Sequence, residues 1–138
     1  MIYMEKVVIT VAKTGKGYSA TCALLEGWIV AVTGNFQELE KEVKESIDFY
    51  VDCAKEDKDS YPSIFDGEYE LQYAFDVESL LCYYDKIFTR SALEHITGIN
   101  QKQLSHYACG RSKPRKDTAE KIVQALHALG HELIAISV

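Results

Sequence analysis

The stretch TRSALEHITGINQKQLSHYACGRSKPR, Thr89 to Arg115, decides how the chain is read. Its spacing predicts two short helices at an angle around a tight Thr97-Gly98 turn, then a basic loop closed by Pro114. Asn100 is placed to cap the second helix, and Gln103, three residues on, has the position that completes a capping box. Leu104 and Ala108 turn inward. Gln101, Lys102, Ser105 and His106 face outward and offer hydrogen-bonding groups to water or to base edges. A polar, capped helix within a small bundle is the form of a helix that enters a DNA groove.

Charge divides the chain. The net charge is −6, but Met1 to Asp76 holds seven Lys against fifteen Asp and Glu, a net of −8. Val77 to Val138 holds eight Lys and Arg against six acids, a net of +2, and all eight cations lie between Lys86 and Lys121. We therefore expect two domains, 1–76 and 77–138. Arg90 at the start of the first helix, and Arg111, Lys113, Arg115 and Lys116 in the loop, suit phosphate contacts, which set register and affinity without reading sequence. The acidic half is repelled by nucleic acid and suits a basic protein partner.

Around the opening stretch, Val77, Leu80, Leu81 and Tyr84 predict a helix that begins at Asp76 and runs to about Ile87 or Phe88. A last helix begins near Lys116 or Asp117, turns Ala119, Ile122, Val123, Leu126 and Leu129 inward, and stops at Gly130. Glu132 to Val138 then reads as a strand whose open edges need a partner, expected across a homodimer.

Upstream, Glu5 to Ala12 and Tyr18 to Leu24 read as a hairpin around Lys13-Thr14-Gly15-Lys16-Gly17. Trp28 to Thr33 follows the Glu26-Gly27 turn as a third antiparallel strand. Asn35, paired with Glu38, caps a helix whose Phe36, Leu39, Val43, Ile47, Tyr50, Val51 and Ala54 form one apolar stripe. After a polar loop, Lys55 to Ser63, Tyr69 to Phe75 is a further strand. The fold class expected is α+β: a small antiparallel sheet with one packed helix, followed by an all-α helix-turn-helix bundle with a C-terminal strand.

Other chemistry is poorly supplied. Cys22, Cys53, Cys82 and Cys109 lie about thirty residues apart with no Cys-x-x-Cys pair, so neither a disulfide framework nor a zinc ribbon is expected. His127 and His131 have the spacing of two metal ligands, but no Glu follows His127 and Gly130 is expected to end the helix. Gly15-Lys16-Gly17 lies between strands, away from any helix N-terminus, unlike a phosphate loop. No acid is placed to orient His106 beside Cys109. We expect no catalytic residue, metal or cofactor. No apolar run approaches the length of a membrane span and no signal segment opens the chain, so no membrane partner and a cytoplasmic location are expected.

With these residues in view, Thr89 to Leu129 resembles the lambda-repressor-like, or Xre-type, helix-turn-helix through Leu93, Gly98, Asn100-Gln101, Leu104-Ser105, Gly110, Pro114 and Ala125-Leu126 before Gly130. The acidic β-β-β-α-β unit is similar to the partial ribonuclease-H-like domain of HicB antitoxins. The matching landmarks are Val7 to Ala12, Gly17-Tyr18-Ser19-Ala20, Glu26-Gly27, and Thr33-Gly34-Asn35 leading into an acidic helix with Glu38. The whole chain thus resembles a HicB-type antitoxin.

That resemblance implies a bifunctional protein. Its first domain neutralises a HicA-like, mRNA-cleaving toxin by direct binding, with Glu26 and Trp28 at the candidate toxin-facing turn. Its second domain represses its own operon as a homodimer or higher homo-oligomer on palindromic operator DNA, with half-sites about 34 Å apart. A stand-alone transcription regulator with a small-molecule-sensing first domain is the alternative. A nuclease needs converging carboxylates on strand interiors, and Val7 to Ala12, Tyr18 to Leu24 and Trp28 to Thr33 contain none.

Overall fold

The structure, a computed structural model, describes residues 4–138. The first three residues of the expected 1–76 domain lie outside them. The chain is α+β and divides into two compact units at Asp76-Val77.

Unit 1 is a four-stranded sheet in the order β3-β2-β1-β4 with one long helix. Strands β1 (Glu5–Lys13), β2 (Tyr18–Thr21) and β3 (Ile29–Val32) form an antiparallel meander. The tight turn between β1 and β2 is closed by the Thr14 N–H on Gly17 O at 2.8 Å. Alternation places Val7, Ile9 and Val11 of β1 in the core at 1% exposure or less, while Val8 and Thr10 face solvent. Helix α1 (Phe36–Glu56) covers that inner face with Leu39, Val43, Ile47, Val51 and Ala54, all buried. Asn35 starts α1 by accepting the Gln37 and Glu38 N–H groups at 2.9 and 3.3 Å. Its own N–H goes to Thr33 Oγ1 at 3.3 Å.

Two expectations for this unit are corrected. The sheet is mixed, because β4 (Tyr69–Phe75) runs parallel to β1 from Glu5↔Tyr69 to Val11↔Phe75. A 21-residue helix supplies the long crossover that a parallel return requires, and strand patterning carries no sign of direction. Strand β2 also ends at Thr21, not Leu24, because two successive turns, Leu25 N–H to Cys22 O and Trp28 N–H to Leu25 O, bend the backbone away.

Unit 2 is all-α: α2 (Val77–Tyr83), α3 (Arg90–Thr97), α4 (Gln101–Ala108) and α5 (Lys116–Ala135). Val77, Leu81, Leu93, Leu104, Tyr107, Ala108 and Ile122 form its core, with Leu80, Phe88, Ile96, Ile99, Ala119 and Leu126 packed around them. Regular α2 stops at Tyr83 and continues to Phe88 as turns, with the Ile87 and Phe88 N–H groups both on Tyr84 O.

The C-terminal strand is overturned. Helix α5 passes through Gly130 and ends at Ala135, so Glu132 to Ala135 are its last turn and Ile136 to Val138 have no regular structure. Gly130 is not among the glycines of positive φ and caps nothing. A glycine inside a helix costs only about 1 kcal/mol relative to alanine, and a short apolar run such as Leu133-Ile134-Ala135 fits helix or strand equally well. Among the described residues no helix is long and apolar enough to cross a membrane.

Candidate nucleic-acid interface

The interface grows from the turn between α3 and α4. Thr89 Oγ1 accepts the Ala92 N–H at 3.0 Å and opens α3. Gly98 ends α3 at φ 74°, with its N–H on Glu94 O at 2.8 Å; only glycine holds that left-handed backbone without strain. Thr97, 4% exposed, locks the turn by donating to Leu93 O at 2.6 Å and accepting the Ile99 N–H at 3.1 Å.

Two side chains then cap α4. Asn100 Oδ1 accepts the Lys102 N–H at 2.8 Å, and Glu94 Oε2 reaches across the turn to the Gln101 N–H at 2.7 Å. Each satisfies a donor that the first turn of a helix leaves open, and the Glu94 charge lies at the positive end of α4. Sequence reasoning missed Glu94. The only available signal was an acid seven residues before a helix start, and it becomes meaningful once the turn brings the two together. Gln103 does not close a capping box; its Nε2 donates to Ser112 Oγ at 3.2 Å and so ties the basic loop to α4.

Leu104, Tyr107 and Ala108 bury one side of α4, at 0%, 8% and 7% exposure. Gln101, Lys102 and Ser105 are exposed on the other side, and His106 is half-buried beside them. The loop folds back on the end of α4: the Arg111 and Ser112 N–H groups both reach His106 O, at 2.9 and 3.3 Å. Gly110 permits this at φ 76°, and a Cβ there would lie 3.1 Å from a Glu78 carboxylate oxygen.

Arg111, Lys113, Arg115 and Lys116 are exposed and enter none of the ion pairs found among the described residues. Arg90 differs. Its side chain is 24% exposed and Nη2 lies 3.4 Å from Asp85 Oδ1, so a carboxylate already engages its guanidinium. The arrangement offers three exposed side chains and a half-buried imidazole along one helix face, followed by three exposed cations on the loop, Arg111, Lys113 and Arg115, and a fourth, Lys116, that opens α5.

In unit 1, Glu26 is exposed in its turn, and its carbonyl accepts the Tyr50 hydroxyl at 3.3 Å. Trp28 is 7% exposed and its indole N–H donates to Ser46 Oγ of α1 at 2.9 Å, so the ring packs inside the unit. An open groove of about 660 Å³ lies between α1 and β4, with Glu40, Lys41, Lys44, Tyr69 and Tyr73 among its walls. Lys44 Nζ is engaged there by Tyr69 Oη at 2.6 Å and Asp48 at 3.0 Å. Burial opposes its charge, but these bonds outweigh that and raise its pKa.

His127 and His131 are both on the continuous α5, contrary to the expected break at Gly130. Among the described residues they join no group of three or more potential metal ligands. Comparison with protein-family models, curated proteins and solved structures finds no match to this chain.

Proposed function

We propose that the chain is the antitoxin of a toxin-antitoxin pair, with unit 2 as its operator-binding half and unit 1 as the half that occludes a basic, HicA-like, mRNA-cleaving toxin. The observation that carries the DNA half is the doubly capped α4. Asn100 and Glu94 satisfy its first N–H groups from within the protein, which fixes the helix and leaves the Gln101, Lys102 and Ser105 side chains for base edges. Arg111, Lys113, Arg115 and Lys116, exposed in the segment that follows α4, are the candidates for phosphate contacts. The β-β-β-α-β order of unit 1 and its net charge of −8 support the antitoxin half, since an acidic surface steers and complements a ribonuclease surface that otherwise binds RNA. With Trp28 packed inside, the exposed Glu26 turn and the outer sheet face, where Val8 and Ile29 are 47% and 66% exposed, are the surfaces left for that partner.

The DNA half is tested by titrating the chain against the DNA upstream of its own reading frame and against random duplex. Tighter binding to the upstream DNA by about 10³-fold or more is the expected result; equal affinity for both sinks the repressor reading. The groove between α1 and β4 favours one second reading, a regulator that senses a small molecule, because its volume lies in the range of ligand pockets. A neighbouring gene product that neither harms cells nor binds this chain would move the assignment to that reading.

A further inference from the structure

Strand β4 is the last of its sheet and pairs on one side only, with β1. In a parallel strand every second residue turns its N–H and C=O away from the neighbour it pairs with, and an edge left this way is a template for another chain. Proteins blunt such edges by shortening them, or with lysines, prolines and bulges. At the other edge β3 is blunted by its length, four residues. By contrast β4 has seven residues, no Lys, Arg or Pro, and an unbroken register with β1 that leaves no bulge. Among the described residues, no backbone hydrogen bond outside the β1 ladder reaches Tyr69 to Ala74.

The groove between α1 and β4 runs along this edge. Tyr69, Leu71 and Tyr73 lie on one face of β4 and line it. Both rings are already fixed: Tyr69 by the Phe65 ring edge-on and by the Lys44 ammonium 4.7 Å from its centroid, and Tyr73 by the Phe36 ring. The Tyr73 hydroxyl oxygen is buried without a hydrogen-bond partner among the described residues. Glu40 and Glu68 also line the groove, and Glu70 is exposed on β4 beside it. Asp48 neutralises Lys44 at 3.0 Å, which leaves Lys41 as the unpaired cation among the described lining residues.

We propose that an extended, basic segment of a partner protein adds to β4 as the next strand of the sheet. The open edge specifies an extended backbone rather than a helix, because only that conformation meets its N–H and C=O groups in step. Alternation then divides the segment's side chains. One set, apolar, enters the groove beside Tyr69, Leu71 and Tyr73, and the other lies next to Glu70 and Gln72 on the outer face of the sheet. The acidic rim selects Lys or Arg in the segment. It also disfavours a second copy of this chain, which brings the same acidic rim to the edge. Identifying the partner with the basic toxin rests on the antitoxin reading above; the edge itself does not.

The test is an NMR titration of the isotope-labelled full chain with the peptide acetyl-Lys-Val-Lys-Val-Lys-Val-Lys-amide. Amide shifts centred on Tyr69 to Ala74, saturating with a Kd of about 0.1–1 mM, are expected. Backbone methylation separates strand addition from side-chain docking. Methylating the nitrogens of the valines in one peptide and of the lysines in another should abolish binding in one of the two and leave it in the other. Glu68→Lys should weaken binding about five-fold, and Glu56→Lys, at the far end of α1, should leave it unchanged. The proposal is overturned by no saturable shift up to about 5 mM, by shifts centred on β3, or by loss with both methylated peptides or with neither. No effect of Glu68→Lys, or an equal effect of Glu56→Lys, also overturns it. A free chain in which every β4 amide is already protected from exchange overturns it in favour of a second copy. Because the peptide is not the neighbouring gene product, failure here removes strand addition and leaves the antitoxin reading to co-expression. A harmless neighbour removes the toxin and leaves the edge.

Discussion

Gln101 is the first residue of α4, its backbone N–H already held by Glu94, so its side-chain amide is free for an adenine edge while the main chain stays fixed. Gln101→Ala should relax base preference at one operator position and cost roughly 1–3 kcal/mol there, read by binding titrations against single-base operator variants. Unchanged discrimination would remove Gln101 from the base readers. Lys113 is exposed and outside the ion pairs, in the loop that Gln103 and Ser112 tie to α4. Lys113→Ala should weaken operator and random DNA alike and reduce the salt slope by about one; a loss confined to the operator would make it a base reader instead. In unit 1, Tyr73 packs edge-on against Phe36, and its buried hydroxyl meets no hydrogen-bond partner among the described residues. Burial, with the Glu40 charge adding to it, pushes its pKa up to about 12 from 10.0. The raised value means that the fold prefers the neutral phenol. Stability from this residue is present below pH 10 and is lost as pH rises toward about 12, because the unfolded chain ionises first. Tyr73→Phe should leave neutral-pH stability unchanged or raise it by up to about 1 kcal/mol, since no bond is lost. It should also flatten the alkaline fall seen in urea melts.

At the scale of elements, two glycines differ in what they permit. Gly98 sits at φ 74°, where a side chain is strained, so Gly98→Ala should destabilise unit 2 by about 1–2 kcal/mol. Gly130 lies inside α5 with nothing within 4 Å of an added Cβ, so Gly130→Ala should stabilise the helix by up to about 1 kcal/mol. Thermal melts of the two variants check both signs; a destabilising Gly130→Ala would mean that the helix stops there after all. The pair also marks what was legible in the sequence. Gly98 follows a capped helix and precedes the cap residue Asn100, so its chain neighbours define its role. Gly130 has a helix pattern before it and an apolar run after it, and local pattern does not decide between continuing the helix and starting a strand. The α1 stripe was readable because its seven apolar residues recur at helical spacing; five of them are buried, whereas Phe36, at the first position of the helix, is 38% exposed and Tyr50 is half-buried. The parallel direction of β4 was not, because it depends on a pairing with β1 more than fifty residues away in sequence. At the interface, the outward set on α4 followed from periodicity. Glu94 at the cap, Asp85 against Arg90 and Ser112 on Gln103 are contacts across turns, and residue types alone do not assign them.

At the scale of the molecule, one chain carries a unit of net −8 and a unit of net +2. Like charge keeps the first from nucleic acid and opposite charge favours it for the second, and this long-range electrostatic contrast supports the proposed division between protein capture and DNA binding. The most direct measurement is growth of cells expressing the short open reading frame next to this gene, with and without the chain, followed by pull-down on it. Arrest by the neighbour alone, recovery on co-expression and a complex that co-purifies through residues 1–76 are expected. A neighbour that is harmless alone, or one that arrests growth but neither yields to this chain nor binds it, would contradict the antitoxin assignment.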